Sequence, residues 1–336
     1  MATNGFFAVG GETFKKACDL GMNPACSLLV MACGSGKDNV TTRWSAEAVG
    51  NHAAIRWTAA KEAIEALCEA GLVSKGGKPA RPVYKLKKDG DLIWLPRTLI
   101  EGAANEVPPV AKLRQTQDVM TLRLLIELYS AQNLREDGGI STKDVYQKFD
   151  RRKAGQHGAY TVWCFTGGTS FVCWDEVTKP HRRAVLTAEE KEAGSNAGID
   201  FFRRFSLLQS LGMVEWVPYL YEGEDGEPIH PLNWNNNGLL MERELYDAAT
   251  AAAARMLTDG QIEHSERFEG ILAPVLNHIA EAQLIGVARL KYRPQTAMTS
   301  AWWAQHQSVC EGFTEKYNSL AVPVAKAHTG TFGRDF

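Results

Sequence analysis

The sequence predicts an α+β chain that is mainly helical, built as two helix-and-hairpin units followed by a helical C-terminal domain. Three observations predict it. Residues 63–73 (AIEALCEAGLV) and 204–214 (RFSLLQSLGMV) share the phrase Leu-x-x-x-Gly-(Leu/Met)-Val. Each copy runs into an apolar strand, a turn and a second strand. From Gly238 onward, alanine-rich and amphipathic stretches read as helix. A chain of 336 residues exceeds the roughly 100–200 of one domain. The divisions fall at 1–105, 106–237 and 238–336, with an insert at about 151–195.

In the first unit, Asn23–Ala32 (NPACSLLVMA) reads as a short buried helix, followed by the polar loop GSGKDNVTTR. Ser45 stands where an N-cap belongs, before AEAVGNHAA. The next helix begins near Arg56, with Ala60, Ala63, Ile64 and Leu67 at i, i+3, i+4 and i+7. It stops at Gly71, a residue able to take the left-handed cap conformation. Strand Leu72–Lys75, turn GGKPAR and strand Pro82–Leu86 complete the unit.

The second unit opens with helix Val119–Gln132, and Ser141 caps a short helix in TKDVYQKF. About 45 residues of insert precede helix Ile199–Leu211. Within them VWCF-TGGTS-FVCW (Val162–Trp174) reads as a β-hairpin turning at the glycines. Val214–Tyr221 and Ile229–Leu232 form the second terminal hairpin. Beyond Gly238, Leu239–Leu257, Phe268–Leu290 and Met298–Leu320 read as helices, and the last residues as a loose tail.

The first unit resembles the winged helix-turn-helix superfamily. The resemblance is carried by the capped helix Ser45–His52, the turn at Ala53–Ile55, the helix ending Ala63-Ile64-x-x-Leu67-x-x-x-Gly71-Leu72-Val73, and the hairpin with Lys75, Lys78 and Arg81. It covers about 65 residues. The second unit matches in its first helix, its terminal phrase and a longer acidic wing, so the tandem layout resembles plasmid and phage replication initiators. That fold implies a third helix in the major groove and a wing on the backbone or minor groove. Arg56, Trp57, Thr58 and Lys61 then lie on the exposed face beside Glu62. Arg56 and Lys61 have the chemistry to donate to guanine or phosphate, and Thr58 to meet a phosphate or a thymine methyl. The alternative is solvated surface charge with Trp57 half in the core.

Six basic residues and no acidic one fall in Ala70–Lys88: Lys75, Lys78, Arg81, Lys85, Lys87 and Lys88. Lysines also protect edge strands, but beside a helix-turn-helix, phosphate contact explains them better. A second cluster in the insert holds Arg151, Arg152 and Lys153, then His181, Arg182 and Arg183, around Trp163, Phe165, Phe171 and Trp174. This is either a DNA-contacting arm or a packed hairpin, with packing favoured. Leu239–Glu281 carries eight acidic and three basic residues, which suits self-association or a protein partner and not DNA. The net charge of −2 excludes a protein basic all over, not a local basic face.

Catalytic and metal motifs are missing. GSGK fails as a phosphate loop, because Met31 holds the first glycine position and Asp38 the Ser/Thr position. Cys26/Cys33 and Cys164/Cys173 lack zinc spacing, and neither His264 nor His306 has a histidine partner two or four residues away. Seven cysteines without a CxxC pair suit a reducing cytoplasm. No run approaches the ~18–20 apolar residues of a membrane span, and the N-terminal stretch is a poor signal peptide. The expectation is a cytoplasmic, non-enzymatic, cofactor-free protein that binds double-stranded DNA, as an initiator or a transcriptional regulator. It would act as a dimer, or with a protein partner held by the C-terminal domain. The competing expectation is a scaffold subunit that uses the same folds without reading DNA.

Overall fold

In the computed structural model, which describes residues 5–78, 81–103, 106–133, 138–173, 179–181, 200–224, 226–234, 238–267 and 270–321, both copies of the repeated phrase end a helix in the same way. The first helix is Trp57–Glu69 and the second Asp200–Ser210. Gly71 sits at φ +69° and Gly212 at φ +68°. The Leu72 N–H donates to Leu67 O at 3.0 Å and Gly71 N–H to Cys68 O at 3.0 Å. In the second copy Met213 N–H donates to Leu208 O and Gly212 N–H to Gln209 O, each at 2.9 Å. These paired bonds satisfy the last carbonyls of each helix and turn the chain into a strand.

The chain divides into two units. Unit 1 comprises 1–146, 170–216 and 287–304, and unit 2 comprises 147–169, 217–286 and 305–336. Unit 1 begins with β1 (Phe6–Gly10), α1 (Gly11–Asp19) and α2 (Met22–Cys33). Then follow β2 (Thr41–Thr42), α3 (Ala46–Ala53), α4 (Trp57–Glu69), β3 (Val73–Lys78), β4 (Arg81–Leu86) and β5 (Leu92–Pro96). All but one residue of α2 are buried, so it is the central helix, with α3 and α4 packed on it. β2, β4 and β3 form a three-stranded sheet in that order, and β1 pairs with β5. Helices α5 (Thr98–Glu101), α6 (Pro109–Thr116) and α7 (Val119–Ser130) lead to α8, the helix Asp200–Ser210. Asp118 caps α7, accepting from Met120 N and Thr121 N.

The short pair β6 (Gln132–Asn133) and β7 (Gly139–Ile140) precedes the long strands β8 (Val145–His157) and β9 (Tyr160–Val172). With β10 (Val214–Tyr221), β11 (Pro228–Pro231), β12 (Ile271–Leu276) and β13 (Gln283–Leu290) they form a six-stranded sheet, ordered β11-β10-β13-β8-β9-β12. In unit 2, α9 (Leu240–Met256) lays Leu245, Ala248, Ala249 and Ala252 on β12, while α10 (Asp259–Glu266) follows it in the chain. The alanines let the helix approach the strand closely. Helix α11 (Ala297–Ala321) closes the described chain.

Four expectations are corrected. The chain is α+β with a large sheet, not mainly helical, because the described part of the expected helix Phe268–Leu290 carries the strands Ile271–Leu276 (β12) and Gln283–Leu290 (β13). All eight residues of β13 are buried, so its apolar run carries no facial period to read. Pro274 stands mid-strand in β12, an edge strand, where its missing N–H is tolerated. TKDVYQKF is not helical, since β8 starts at Val145. The VWCF-TGGTS-FVCW hairpin does not turn at its glycines. Its residues up to Val172 lie in β9, and the turn is at Gly158–Ala159. A Cβ at Gly168 would meet Gln147 Nε2 at 2.7 Å, so glycine here gives room to a neighbouring side chain.

The second terminal hairpin is also more complex than β10 and β11. β11 pairs with β10 over Tyr219–Tyr221, and β13 flanks β10 on its other side. Lys291 N–H donates to Met213 O at 3.0 Å, as Lys87 N–H does to Leu72 O at 2.9 Å. The strand equivalent to β4 is therefore β13, displaced along the chain by β11, α9, α10 and β12. A buried Arg289 on β13 pairs with Glu215 on β10 at 2.9 Å. Trp174, Arg182, Arg183 and the C-terminal tail lie outside the described residues.

Unit 2 buries polar groups in pairs. Glu242 accepts from Asn233 Nδ2 at 2.9 Å and meets His306 Nε2 at 2.7 Å. His230 Nε2 meets the Tyr317 hydroxyl at 2.8 Å. Burial pushes His230 down from 6.5 to about 4, which keeps its ring neutral. Because the folded value is depressed, its contribution is complete above pH 6.5 and is lost as pH falls toward 4. The difference is on the order of 3 kcal/mol. Denaturant unfolding at pH 7 and pH 4.5 should show a smaller acid loss in His230→Gln than in the parent chain. A separate pair of variants, Gly71→Ala and Gly212→Ala, should each cost about 1 kcal/mol, from left-handed backbone strain alone. Space does not limit either position, as nothing lies within 4 Å of an added Cβ.

Candidate nucleic-acid interface

Four α4 residues point inward: Ala60, Ala63, Ile64 and Leu67 are buried. Their spacing leaves Arg56, Trp57, Thr58, Lys61, Glu62, Glu65 and Glu69 exposed. The turn before α4 is set by Ala54 in the left-handed region (φ +54°) and by buried Ile55. Arg56 is the residue before the helix, and Trp57, 61% exposed, opens it. Ser45 precedes α3 in N-cap position, but its hydroxyl makes no capping bond. Trp44, just before it, stacks on His52 in the last turn of α3 at 4.8 Å and fills the space beside Gly34.

The β3–β4 register decides where the hairpin cations point. Val73 pairs with Leu86, Lys75 with Tyr84 and Gly77 with Pro82 on one face, the face that buries Val73, Tyr84 and Leu86. Ser74 pairs with Lys85, Gly76 with Val83 and Lys78 with Arg81 on the other. Lys75 therefore lies on the α4 side, while Lys78, Arg81 and Lys85 share the outer face. All four are exposed, and none makes an ion pair among the described residues. Lys87 and Lys88 differ. Lys87 pairs with Asp89 at 2.9 Å, which holds that carboxyl below its ordinary value, and Lys88 donates to Asp38 O.

The second basic cluster is dispersed. Arg151 donates to Ala280 O at 3.2 Å, Ala282 O at 2.7 Å and Glu281 at 2.7 Å, and lies over the Trp163 ring. Lys153 bonds Gln156, and Arg152 is exposed. Phe165 is fully buried in the unit 2 core, and Phe171 stacks on Tyr146. His181 is buried in unit 1, its Nδ1 accepting from Arg204 at 2.6 Å. Arg204 also reaches Asp118 and Asp200.

Sequence reasoning passed over Arg43. It is exposed, has no ion pair among the described residues and stands two residues before Ser45. Its signal is a lone arginine at the end of the polar loop GSGKDNVTTR, just ahead of α3. Among the described residues no group of three or more His, Cys, Asp or Glu is placed to hold a metal ion. No described helix is long and apolar enough to cross a membrane. Comparison of the chain with protein-family models, with curated proteins and with solved structures gives no match.

The two basic clusters should separate experimentally. Arg151→Met should lower the stability of unit 2 by about 1–3 kcal/mol, the cost of lost charged hydrogen bonds. Lys85→Ala, at an exposed residue with no ion pair, should change it by less than about 0.5 kcal/mol. Denaturant unfolding of both variants checks this.

Proposed function

We propose that unit 1 binds double-stranded DNA, with the start of α4 in the major groove and the β3–β4 hairpin on phosphate, in replication initiation or transcriptional regulation. One observation carries this reading. Arg56, Lys75, Lys78, Arg81 and Lys85 are exposed on one helix start and the hairpin that follows it, and none is neutralised by a carboxylate among the described residues. Phosphate is the partner such a set fits. The order α2-β2-α3-α4-β3-β4, with the sheet order β2-β4-β3, supports the winged helix-turn-helix resemblance. Arg43 adds a further cation beside α3. The second glycine stop supports a tandem arrangement, and a dimer would present two α4 helices to half-sites about one helical turn apart.

A second reading is favoured by a specific feature of the same helix. Glu62, Glu65 and Glu69 share its exposed surface with Trp57. A protein partner would use the exposed indole, and the carboxylates would repel phosphate. In that case α4 and the hairpin form a docking face in a larger complex.

Salt dependence separates the two. Each phosphate contact contributes about 0.9 to the slope of log affinity against log salt. The parent chain should bind a random duplex at ~50 mM salt with a steep slope. Replacing the outer-face Lys78, Arg81 and Lys85 together by alanine should flatten that slope by about 3. No measurable duplex binding at ~50 mM salt would overturn the DNA reading.

A further inference from the structure

Between α4, the start of α3 and the inner face of the hairpin lies a cavity of about 340 Å³. Its walls are Trp57, Tyr84, Ile64 and Ala46, and its polar groups come from Ser45, Lys61, Glu65, Cys68, Glu69 and Lys75. Three features bear on what it could hold.

The first is Tyr84. Only 5% of this residue is exposed, and its hydroxyl makes no hydrogen bond to the described residues, which leaves it available to a molecule in the cavity. Its register opposite Lys75 places it on the inner hairpin face, and it lines the cavity. The second is Ser45, whose hydroxyl leaves the capping role its position offers and also lines the cavity. The third is charge. Lys61 and Glu65 pair with each other at 3.8 Å, whereas Lys75 and Glu69 have no ion-pair partner among the described residues. Glu69 follows Cys68 on α4, and Lys75 stands opposite Tyr84 on the inner hairpin face, so both charges line the cavity.

We propose that this cavity is a binding site for a small aromatic zwitterion. A planar ring would stack on Trp57 above Ile64 and Ala46. An anionic group would meet Lys75, a cationic group would meet Glu69, and the Tyr84 hydroxyl would bond one of the ligand's polar atoms. The lining carries equal numbers of acids and bases, so a ligand with a single charge leaves either Lys75 or Glu69 unanswered. The volume admits one or two rings with a short chain and excludes a dinucleotide. Such proportions, apolar walls with a few converging polar groups, are those of small-molecule sites.

This inference rests on the cavity and not on DNA binding, and the two are tested apart. The full chain, without DNA, is titrated calorimetrically with L-tryptophan, with indole-3-acetate (the anion alone) and with tryptamine (the cation alone). Saturable L-tryptophan binding, weakened about tenfold or more in Lys75→Met and in Glu69→Gln, is expected. Tyr84→Phe keeps the ring and should weaken binding by a smaller factor. Both charged residues are exposed, so their variants should fold as the parent does, which circular dichroism checks. Absence of saturable L-tryptophan binding overturns the proposal. So does binding that the Lys75 and Glu69 variants leave unchanged, or single-charge ligands that bind as well as the zwitterion. Loss of duplex binding with ligand binding intact would count against the DNA reading alone.

Discussion

The glycine stop after each repeated leucine is the constraint on which the rest of unit 1 depends. At Gly71 and Gly212 the chain enters the left-handed region, and two backbone bonds close the helix end. The next residue, Leu72 or Met213, is thereby held against the helix it has just left, and both are buried. Its carbonyl then accepts from the far strand, through Lys87 N–H in one copy and Lys291 N–H in the other. One local conformation thus fixes helix end, strand start and strand partner. In the first copy the partner strand follows after a short turn. In the second it comes after four further elements, and the same local device tolerates that interruption.

Charge is divided in the same way. The net −2 of the chain joins a hairpin without acidic residues to a segment of eight acids and three bases. Within the hairpin the register divides it again, with Lys75 facing α4 and Lys78, Arg81 and Lys85 facing outward. The outer residues suit a polyanion. The inner lysine shares its space with Glu69, Cys68 and the Tyr84 hydroxyl, a setting too mixed in sign for phosphate alone.

Much of the first unit was legible in the sequence. The spacing of Ala60, Ala63, Ile64 and Leu67 marks the buried face of α4, and Gly71 marks its end. Legibility failed where burial is complete. In β13 every residue is inside, and in β12 all but the last, so neither strand shows an alternation to read. It failed also at Gly167 and Gly168, where a glycine pair resembles a turn but lies within β9. The exposed basic residues could be listed from charge alone. Their division between two faces depends on hairpin register, and Arg151 loses its availability through carbonyls that lie far along the chain. Tyr84 gave no sequence signal at all, because an unpartnered hydroxyl is a property of the packed state.

The central claim is that α4 and the β3–β4 hairpin form one surface for duplex DNA. Amide hydrogen exchange of the full chain, with and without a random duplex at low salt, tests it most directly. Bound DNA should slow exchange at the start of α4, around residues 56–62, and in the hairpin at residues 74–85, while α9 and β12 remain unchanged. Protection confined to other segments, or none at a duplex concentration that shifts the chain's mobility, would contradict it.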